Sequence, residues 1–267
     1  RIIDEFAKER RLFASADTIP DLIKQAFVSA EDKNFYEHDG YDLRGIASAG
    51  FDAVRTRGRD VRGASTITQQ VMKNFLLGGE RKAERKIQEI ILASRIEETL
   101  DKEGILELYL NEIFLGQNSY GVAAASQTYF NKTLDELAPH EAAMLASLPK
   151  APSQFHPVRR KDRLLQRRNF VLKEMMENGH ITEATYEVER EAELKSVQNG
   201  DFESFRKELP LRDYFTDEIR RQLSDDFGES EFFTGGLSVR ATIDNEMQPI
   251  AATALQRQLE SYDRSQG

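Results

Sequence analysis

The sequence predicts a mainly α-helical domain up to about residue 195, followed by a linker and a short β/α unit. Apolar residues recur at helical spacing through most of the first 195 positions, with charged residues between them. After Gly235-Gly236, the alternation of Leu237, Val239, Ala241 and Ile243 is typical of a strand, and a helical pattern runs from Met247 to Tyr262. One strand and one helix cannot form a domain, so we expect this tail to be the start of a second one.

Capping and stop signals indicate where the helices begin and end. Pro20 suits the first turn of a helix whose apolar stripe continues to Ala30. Thr66 and Gln69 have the spacing of a capping box, which predicts a helix from Thr66 to Leu77, before Gly78-Gly79. Further helices are predicted over 81–100, 102–115, 120–130, 135–148, 161–178 and 182–194. The helix over 81–100 is expected to bury Ala83, Ile87, Ile90, Ile91 and Ser94.

Composition excludes several classes of protein. The chain has 267 residues, a net charge of −9 and no cysteine. The charge argues against a general nucleic-acid binder, and the missing cysteines exclude disulfides and a thiol nucleophile. No run of about 18 apolar residues, as a membrane span requires, is present.

A basic segment interrupts this acidic chain. Between Arg44 and Lys86 there are ten Lys or Arg and four Asp or Glu, a local charge of +6. Such a segment suits an anionic ligand, although a solvated surface run has the same composition. The overlapping stretch Tyr41–Val61 mixes apolar residues with arginines, and both a membrane-interfacial segment and a buried helix fit that pattern.

The segment EDKNFYEHDG, residues 31–40, concentrates ionisable side chains directly after a predicted helix. Glu31 and Asp32 stand at the C-terminus of that helix, where the helix dipole disfavours ionisation of a carboxyl group. A carboxyl group with a raised pKa suits a general base near neutral pH. An ion pair between Glu31 and a nearby Lys or Arg explains the same residues. Metal ligation is less favoured, because His38 has no second histidine at ligand spacing.

A second acid lies beside cations. Arg85, Lys86 and Glu89 fall at i, i+1 and i+4, so one helical face presents two cations and a carboxylate. An ordinary surface ion pair would have the same spacing. The stretch GASTITQQ, residues 63–70, has more hydroxyl and amide groups than a helix cap needs.

Five segments in a fixed order are together more specific than any one alone. They are EDKNFYEHDG (31–40), GASTITQQVMKN (63–74), RKIQE (85–89), KEGILELYLN (102–111) and RRNFVL (167–172). The series resembles the motifs of the family 51 peptidoglycan glycosyltransferases, which are the N-terminal domains of class A penicillin-binding proteins and the related monofunctional transglycosylases. The resemblance covers about residues 4–195, and the segments 213–223 and 235–244 look like the linker into a class A transpeptidase domain.

The resemblance implies a fold and a reaction. The fold is a mainly α, lysozyme-like glycosyltransferase domain with head and jaw lobes over 1–195. A linker over 196–234 and the N-terminal β/α fragment of a truncated transpeptidase domain over 235–267 follow. The reaction is inverting glycosyl transfer, which polymerises lipid II into β-1,4-linked glycan strands and releases undecaprenyl pyrophosphate.

The resemblance also implies roles for individual residues. The catalytic residues are Glu31, as general base, and Glu89, which organises cations or a divalent ion, Mg²⁺ or Mn²⁺, on the pyrophosphate or assists its departure. Cations set in place in advance stabilise the charge that develops on the leaving group. The expected substrate-binding residues are Asp32, Phe35, His38, Thr66, Gln70, Lys73, Arg85 and Lys86.

The partners and location follow from the same resemblance. We expect lipid II and the growing glycan strand as substrates, no nucleic acid, and other cell-wall proteins as further partners. Because the substrate is a membrane lipid, we expect a removed N-terminal anchor in the bacterial cytoplasmic membrane, with the active domain on its periplasmic or extracellular side. The same family is the target of moenomycin-type inhibitors.

Two other functions compete with the transferase. A lysozyme-like glycan hydrolase would also use two acids, although a basic pyrophosphate site has no purpose in glycan hydrolysis. A catalytically silent docking module would not need Glu31 and Glu89. Two motif-like strings are expected to be coincidences. Ser147-Leu148-Pro149-Lys150 matches S-x-x-K without its partner motifs, and His140-Glu141 lacks the second histidine of a zincin.

Overall fold

The computed structural model describes residues 9–43, 65–76, 82–205, 214–234, 239–244 and 246–266. Within these ranges the chain is mainly helical, as the sequence predicts. Of the stretch Tyr41–Val61, residues 44–61 lie outside the described residues, and with them most of the basic segment. The predicted division into head and jaw lobes and the predicted domain boundaries stay predictions.

The helices of the N-terminal two thirds lie close to the predicted positions. A 3₁₀ turn at Phe35–Glu37 follows the first helix, and two more form at Leu134–Glu136 and Val197–Asn199. The helices are α1 (Asp21–Glu31), α2 (Ile67–Leu76), α3 (Lys82–Glu97), α4 (Lys102–Glu112), α5 (Val122–Phe130), α6 (Pro139–Ser147), α7 (Lys161–Glu177), α8 (Glu183–Arg190), α9 (Tyr214–Phe227), α10 (Glu229–Thr234) and α11 (Met247–Gln266).

A short parallel strand pair, absent from the sequence predictions, joins the N-terminal segment to the middle of the chain. Strand β1 (Arg10–Arg11) pairs with β2 (Ser119–Tyr120). Arg10 is buried, and its guanidinium donates to the Ala124 carbonyl at 3.1 Å and to the Gln127 side chain. Two residues per strand are too few to show an alternating pattern, which is why periodicity does not reveal them.

One continuous apolar core spans the helical region. Helix α1 packs against α6 and α7, whereas α2 packs against both α3 and α4. The predicted stripe of α1 is confirmed, because Ile23, Ala26 and Phe27 are fully buried and the flanking Leu22 and Ala30 pack on the same core. Helix α1 therefore presents its last residue, Glu31, from a rigid platform.

The predicted buried face of α3 is wrong. Ile87 and Ile91 are 61% and 48% exposed, whereas Glu89 and Ala93 are buried. Helix α3 turns a polar face toward α2, and Lys86 on this face contacts Ser65, Gln69 and Glu89. The positions of the apolar residues in the sequence do not predict this orientation. The buried face is therefore the one that bears Glu89, the second predicted acid.

The C-terminal part has little packing. The predicted strand over 237–243 is not formed in its described part, as residues 239–244 have no regular secondary structure. A lone strand has no partner to satisfy its backbone groups. Helix α11 is present as predicted, but no residue that the structure describes in it is buried. Among the described helices, none has the combination of length and apolar character needed to cross a membrane.

The loop after α1 is locked onto α3 through a glycine. Gly40 has φ +87°, and a Cβ built there would lie 2.5 Å from the Ala93 carbonyl oxygen. The Gly40 carbonyl in turn accepts a hydrogen bond from Thr66 Oγ1 at 2.8 Å. Lys102 adds a further tie, since its ammonium donates to the His38 carbonyl and pairs with Glu97 at 2.7 Å. The loop thus holds the end of α1, the start of α2 and the middle of α3 together.

We expect Gly40→Ala to destabilise the domain by about 3 kcal/mol, because it combines backbone strain with a clash against α3. Gly179→Ala is the matched control: its φ is +77°, but no atom lies within 4 Å of the added Cβ. The control should lose only the part of the stability that comes from backbone strain, about 1 kcal/mol. Urea unfolding of both variants measures the difference, and equal losses would contradict a close contact between Gly40 and α3.

Candidate active site

Glu31 ends helix α1 and lies mostly out of solvent. Its side chain is 13% exposed. Gln70 Nε2, from α2, donates to its Oε2 at 3.0 Å. Arg167 Nη2, from α7, lies 4.0 Å from its Oε1, at the limit of an ion pair. The carboxylate therefore receives one amide donor, and its contact with Arg167 is looser than the tight ion pair that would explain it as a purely structural residue.

The pKa of the Glu31 carboxyl is raised above its usual value. Burial is the main cause, and Gln70, Arg167 and Lys150 oppose it. The direction agrees with the sequence-based expectation of a raised pKa, and desolvation is the largest cause. A carboxyl group of this kind takes up a proton more readily than an ordinary glutamate, which suits a general base.

Asp32, the next residue, supports α2. Its side chain is 4% exposed and accepts hydrogen bonds from the Ile67 backbone N–H at 2.9 Å and from His38 Nε2 at 3.0 Å. A carboxylate on the first backbone N–H groups of a helix satisfies donors that the helix cannot. Asp32 and His38, both predicted to touch substrate, thus position the start of α2. Phe35 is fully buried, edge-on to the His38 ring, and its predicted part in substrate binding stays a prediction.

Thr66 is the N-cap of α2. It is 2% exposed, and its Oγ1 accepts from the Gln69 backbone N–H at 3.1 Å while donating to Gly40. Only half of the predicted capping box forms, because the Gln69 side chain does not return to Thr66. It accepts from Lys86 instead, at 2.7 Å, and donates to the Gly40 carbonyl. Thr66 thus makes structural contacts in the folded chain, and its contact with substrate stays a prediction.

Glu89 and Lys86 form a partly buried pair on α3. Lys86 Nζ lies 3.1 Å from Glu89 Oε2 and also donates to Ser65 Oγ at 2.9 Å. The Glu89 side chain is 7% exposed, and that of Lys86 is 42% exposed. The ammonium group is thus held by three oxygens of the protein while one side remains accessible to solvent. An oriented cation of this kind can stabilise an anionic group without reorganisation.

Helix α2 links the two acids. Gln70 bonds Glu31, and its neighbour Gln69 bonds the Lys86 that pairs with Glu89. Both carboxylates are therefore tied to the first turn of α2, Glu31 directly and Glu89 through Lys86. Lys73, also on α2, is exposed and makes no hydrogen bond or ion pair within the described residues. The side chain of Arg85 lies outside the described residues.

The described side chains do not form a metal cage by themselves. No group of three or more His, Asp or Glu with ligand geometry occurs in the part of the chain that the structure describes. Glu89 is already paired with Lys86. Mg²⁺ often takes one or two protein carboxylates and completes its shell with phosphate oxygens and water, and only that mode fits Glu89.

The two motif-like strings are occupied by structural contacts. Ser147 is fully buried, and its hydroxyl donates to the Ala143 carbonyl at 2.7 Å, so it is not a nucleophile. Glu141 pairs with Lys132 at 2.7 Å, and His140 contacts Glu189. Both strings are coincidences, as expected from the sequence.

A family model described as Transglycosylase matches residues 1–176, which include every segment of the site. The chain belongs to the transglycosylase family. Penicillin-binding protein 1A of Rickettsia felis is 41% identical to it over 270 residues, covering all of this chain and 34% of that protein. Penicillin-binding protein 1A of Aquifex aeolicus is 44% identical over 261 residues, covering 97% of this chain and 34% of that protein.

A solved structure agrees with this assignment. The crystal structure of penicillin-binding protein 1A from Haemophilus influenzae superposes with a TM-score of 0.50 at 27% identity, covering 88% of this chain and 24% of that one. The transglycosylase chain thus spans about a third of the length of the curated relatives it matches.

Two site residues of the transglycosylase chain are not predicted from the sequence. Arg167 and Lys150 both act electrostatically on Glu31. Arg167 lies in RRNFVL, but nothing in that string distinguishes it from Arg168. The structure separates the two, because Arg168 is 1% exposed and donates to the Ala192 and Arg190 carbonyls at the end of α8. Lys150 is part of the coincidental S-x-x-K string, and nothing in that string points to Glu31.

We expect Arg167→Gln to move the acidic limb of the pH–rate profile to higher pH. Arg167 opposes the burial that raises the Glu31 pKa, so its loss should raise that pKa further. A base must be ionised, and activity then falls at a higher pH as the medium is acidified. Initial rates between about pH 5 and 9 measure the shift, with Arg163→Gln, on an exposed face of α7, as the control. A shift to lower pH would contradict Glu31 as the titrating base.

Proposed function

We propose that this domain is a peptidoglycan glycosyltransferase that polymerises lipid II into β-1,4-linked glycan strands and releases undecaprenyl pyrophosphate. One observation carries the proposal. The buried carboxyl group of Glu31, whose pKa is raised, contacts Gln70 on the first turn of α2. The neighbouring Gln69 contacts Lys86, which pairs with Glu89. Membership of the transglycosylase family and similarity to proteins named penicillin-binding protein 1A support it.

Glu31 acts as the general base. The acceptor 4-hydroxyl is a weak nucleophile, and Glu31 takes its proton as the oxygen forms a bond to the donor anomeric carbon. The bond from that carbon to the pyrophosphate oxygen breaks, and the electron pair leaves with the pyrophosphate. Attack from the opposite face converts the α linkage of the donor into a β linkage. Gln70 holds the Glu31 carboxylate in place for this step.

Lys86 stabilises the leaving group. Negative charge grows on the pyrophosphate as its bond breaks, and an oriented ammonium lowers that barrier. Glu89, with Gln69 and Ser65, fixes Lys86, so its role is to position a cation. Lys73 and Arg85 are proposed as further cations on the same group. A bound Mg²⁺ or Mn²⁺ would take Glu89 as its protein ligand and supply additional positive charge there.

The reaction is proposed to occur at the outer face of the bacterial cytoplasmic membrane. The donor and acceptor both carry lipid tails, so the domain must work beside a bilayer. Its partners are then lipid II, the growing strand and the membrane, through an N-terminal anchor, together with other cell-wall proteins. The remainder of such a protein would include a transpeptidase domain.

Purified lipid II with a fluorescent label tests the proposed function. We expect glycan polymer and free lipid pyrophosphate in equal molar amounts per bond, and inhibition by moenomycin. Shortening of preformed glycan without any polymer would establish the hydrolase in place of the transferase. No turnover of either substrate by the folded protein, despite moenomycin binding, would favour the docking module.

A further inference from the structure

A cavity outside the candidate active site opens between the α4–α5 connection and the start of α7. Its volume is about 560 Å³, within the range of pockets that hold small organic ligands. None of the residues predicted for catalysis or substrate binding lines it. The residues that matter for its chemistry are Phe114, Gln117, Tyr129, His156, Arg159 and Arg160.

One wall of the cavity is a strained, well-tied turn. Gly116, Gln117 and Asn118 have φ values of +82°, +51° and +56°, of which the last two are uncommon for residues with side chains. Tyr129 braces this turn, since its hydroxyl donates to the Leu115 carbonyl at 2.8 Å and lies 2.8 Å from where a Cβ on Gly116 would be. Such strain persists only where the surroundings enforce it, and it clusters at binding sites. The turn places Gln117 on the cavity wall.

The opposite wall carries two arginines, and no acidic side chain of the described lining faces them. Arg159 and Arg160 are exposed, and neither guanidinium has a hydrogen bond or ion pair with any described residue. No Asp or Glu occurs among the described lining residues. The acid of the following helical turn, Asp162, is exposed and is not part of the lining. Arg160 is also the N-cap residue of α7, which has no side-chain cap, so the helix dipole adds to the positive potential.

His156 contributes a directed donor. Its Nδ1 accepts from the backbone N–H groups of Val158 at 3.1 Å and Arg159 at 3.3 Å, which places the ring proton on Nε2. Burial and the Arg159 charge lower the His156 pKa, so this tautomer persists at neutral pH. The ring is therefore a neutral N–H donor with a fixed orientation.

We propose that this cavity binds a short peptide-like ligand through a free carboxylate. Arg159 and Arg160 take the carboxylate, in the forked geometry that guanidinium groups favour. Gln117 and His156 bond the adjoining amide, and Phe114, which is 39% exposed, packs against the apolar part. A bare inorganic anion would leave most of the cavity unfilled, which favours a ligand of dipeptide size. The inference does not depend on the proposed transferase activity.

Binding of N-acetyl-Ala-Ala to the whole chain, measured by NMR titration at low salt, tests the proposal. We expect saturable binding in the millimolar range, with shifts at Gln117 and His156, and at least about tenfold weaker binding of the C-terminal amide. The double variant R159Q/R160Q should weaken binding of the free acid by at least about tenfold. R257Q/R264Q, which removes the same charge from the exposed helix α11, should leave it unchanged.

Three results would overturn the proposal. The first is equal affinity for the free acid and the amide, and the second is unchanged binding by R159Q/R160Q. The third is inorganic phosphate that binds as tightly as the peptide and displaces it, which would make the cavity a general anion site. Circular dichroism melting of both double variants establishes that the fold is intact, since none of the four arginines is buried.

Discussion

Glu31→Gln should abolish polymerisation of lipid II, with a fall in kcat on the order of 100- to 10,000-fold, the range that a general base contributes. The amide keeps the shape of the side chain and still accepts from Gln70, but it cannot take a proton. Initial rates of glycan formation measure the loss. Glu177→Gln, at the exposed end of α7, is the control and should retain full activity. A variant that kept more than a tenth of the activity would contradict Glu31 as the base.

The same variant should be more stable than the parent at neutral and alkaline pH. The folded-state pKa of Glu31 is raised, so its stability contribution is present below the unfolded pKa and is lost as the pH rises through the folded pKa. Glutamine does not titrate, and the gap between variant and parent should widen over that window. Urea unfolding at about pH 5 and pH 8 measures it. Loss of activity with higher stability separates a catalytic defect from misfolding, and moenomycin binding should survive.

Lys86→Met should lower kcat by about 100- to 1,000-fold, the range seen when one preorganised donor to a developing charge is removed. Methionine keeps the length and apolar stem of the side chain, so the packing on α3 is retained. Lys173→Met, exposed on α7, is the control for a lost positive charge. Rates at saturating lipid II isolate kcat. An effect confined to KM would indicate that Lys86 binds substrate and transition state equally.

A stability loss would complicate this result, because Glu89 remains buried without its ammonium partner. The double variant Lys86→Met/Glu89→Gln also removes the buried negative charge and should recover part of the unfolding free energy. It should recover none of the activity if Lys86 acts on the leaving group. Recovery of activity together with stability would assign the Lys86 effect to folding, and the proposed electrostatic role would be wrong.

The sequence predicts where the helices lie better than it predicts which side of each helix is buried. The α1 stripe is apolar on one side only, and its burial follows from periodicity. In α3 the apolar Ile87 and Ile91 point outward because Lys86 and Glu89 turn toward α2, and the Lys86 partners there lie 17 and 21 positions away. The two-residue strands and the exposed tail depend on contacts that no local pattern encodes.

The site residues show the same limit. The motifs predict Glu31 and Glu89 as the catalytic acids, but they do not separate a residue that faces substrate from one that supports it. Asp32 and Thr66 are bound to backbone groups of α2 and of the Gly40 loop, which only the folded chain brings near them. Arg167 and Arg168 are adjacent and identical in type, yet one reaches Glu31 and the other ends α8.

The adjacent acids Glu31 and Asp32 carry the same charge but are not interchangeable in this structure. The Glu31 carboxyl group has a raised pKa, which suits proton transfer. The Asp32 carboxylate instead accepts a hydrogen bond from the Ile67 backbone N–H. Exchanging Glu31 and Asp32 would keep the composition and the charge. It would, however, shorten the side chain at position 31 by one methylene group and lengthen the side chain at position 32 by one. The order of these two acids therefore matters to the structure as much as their charge does.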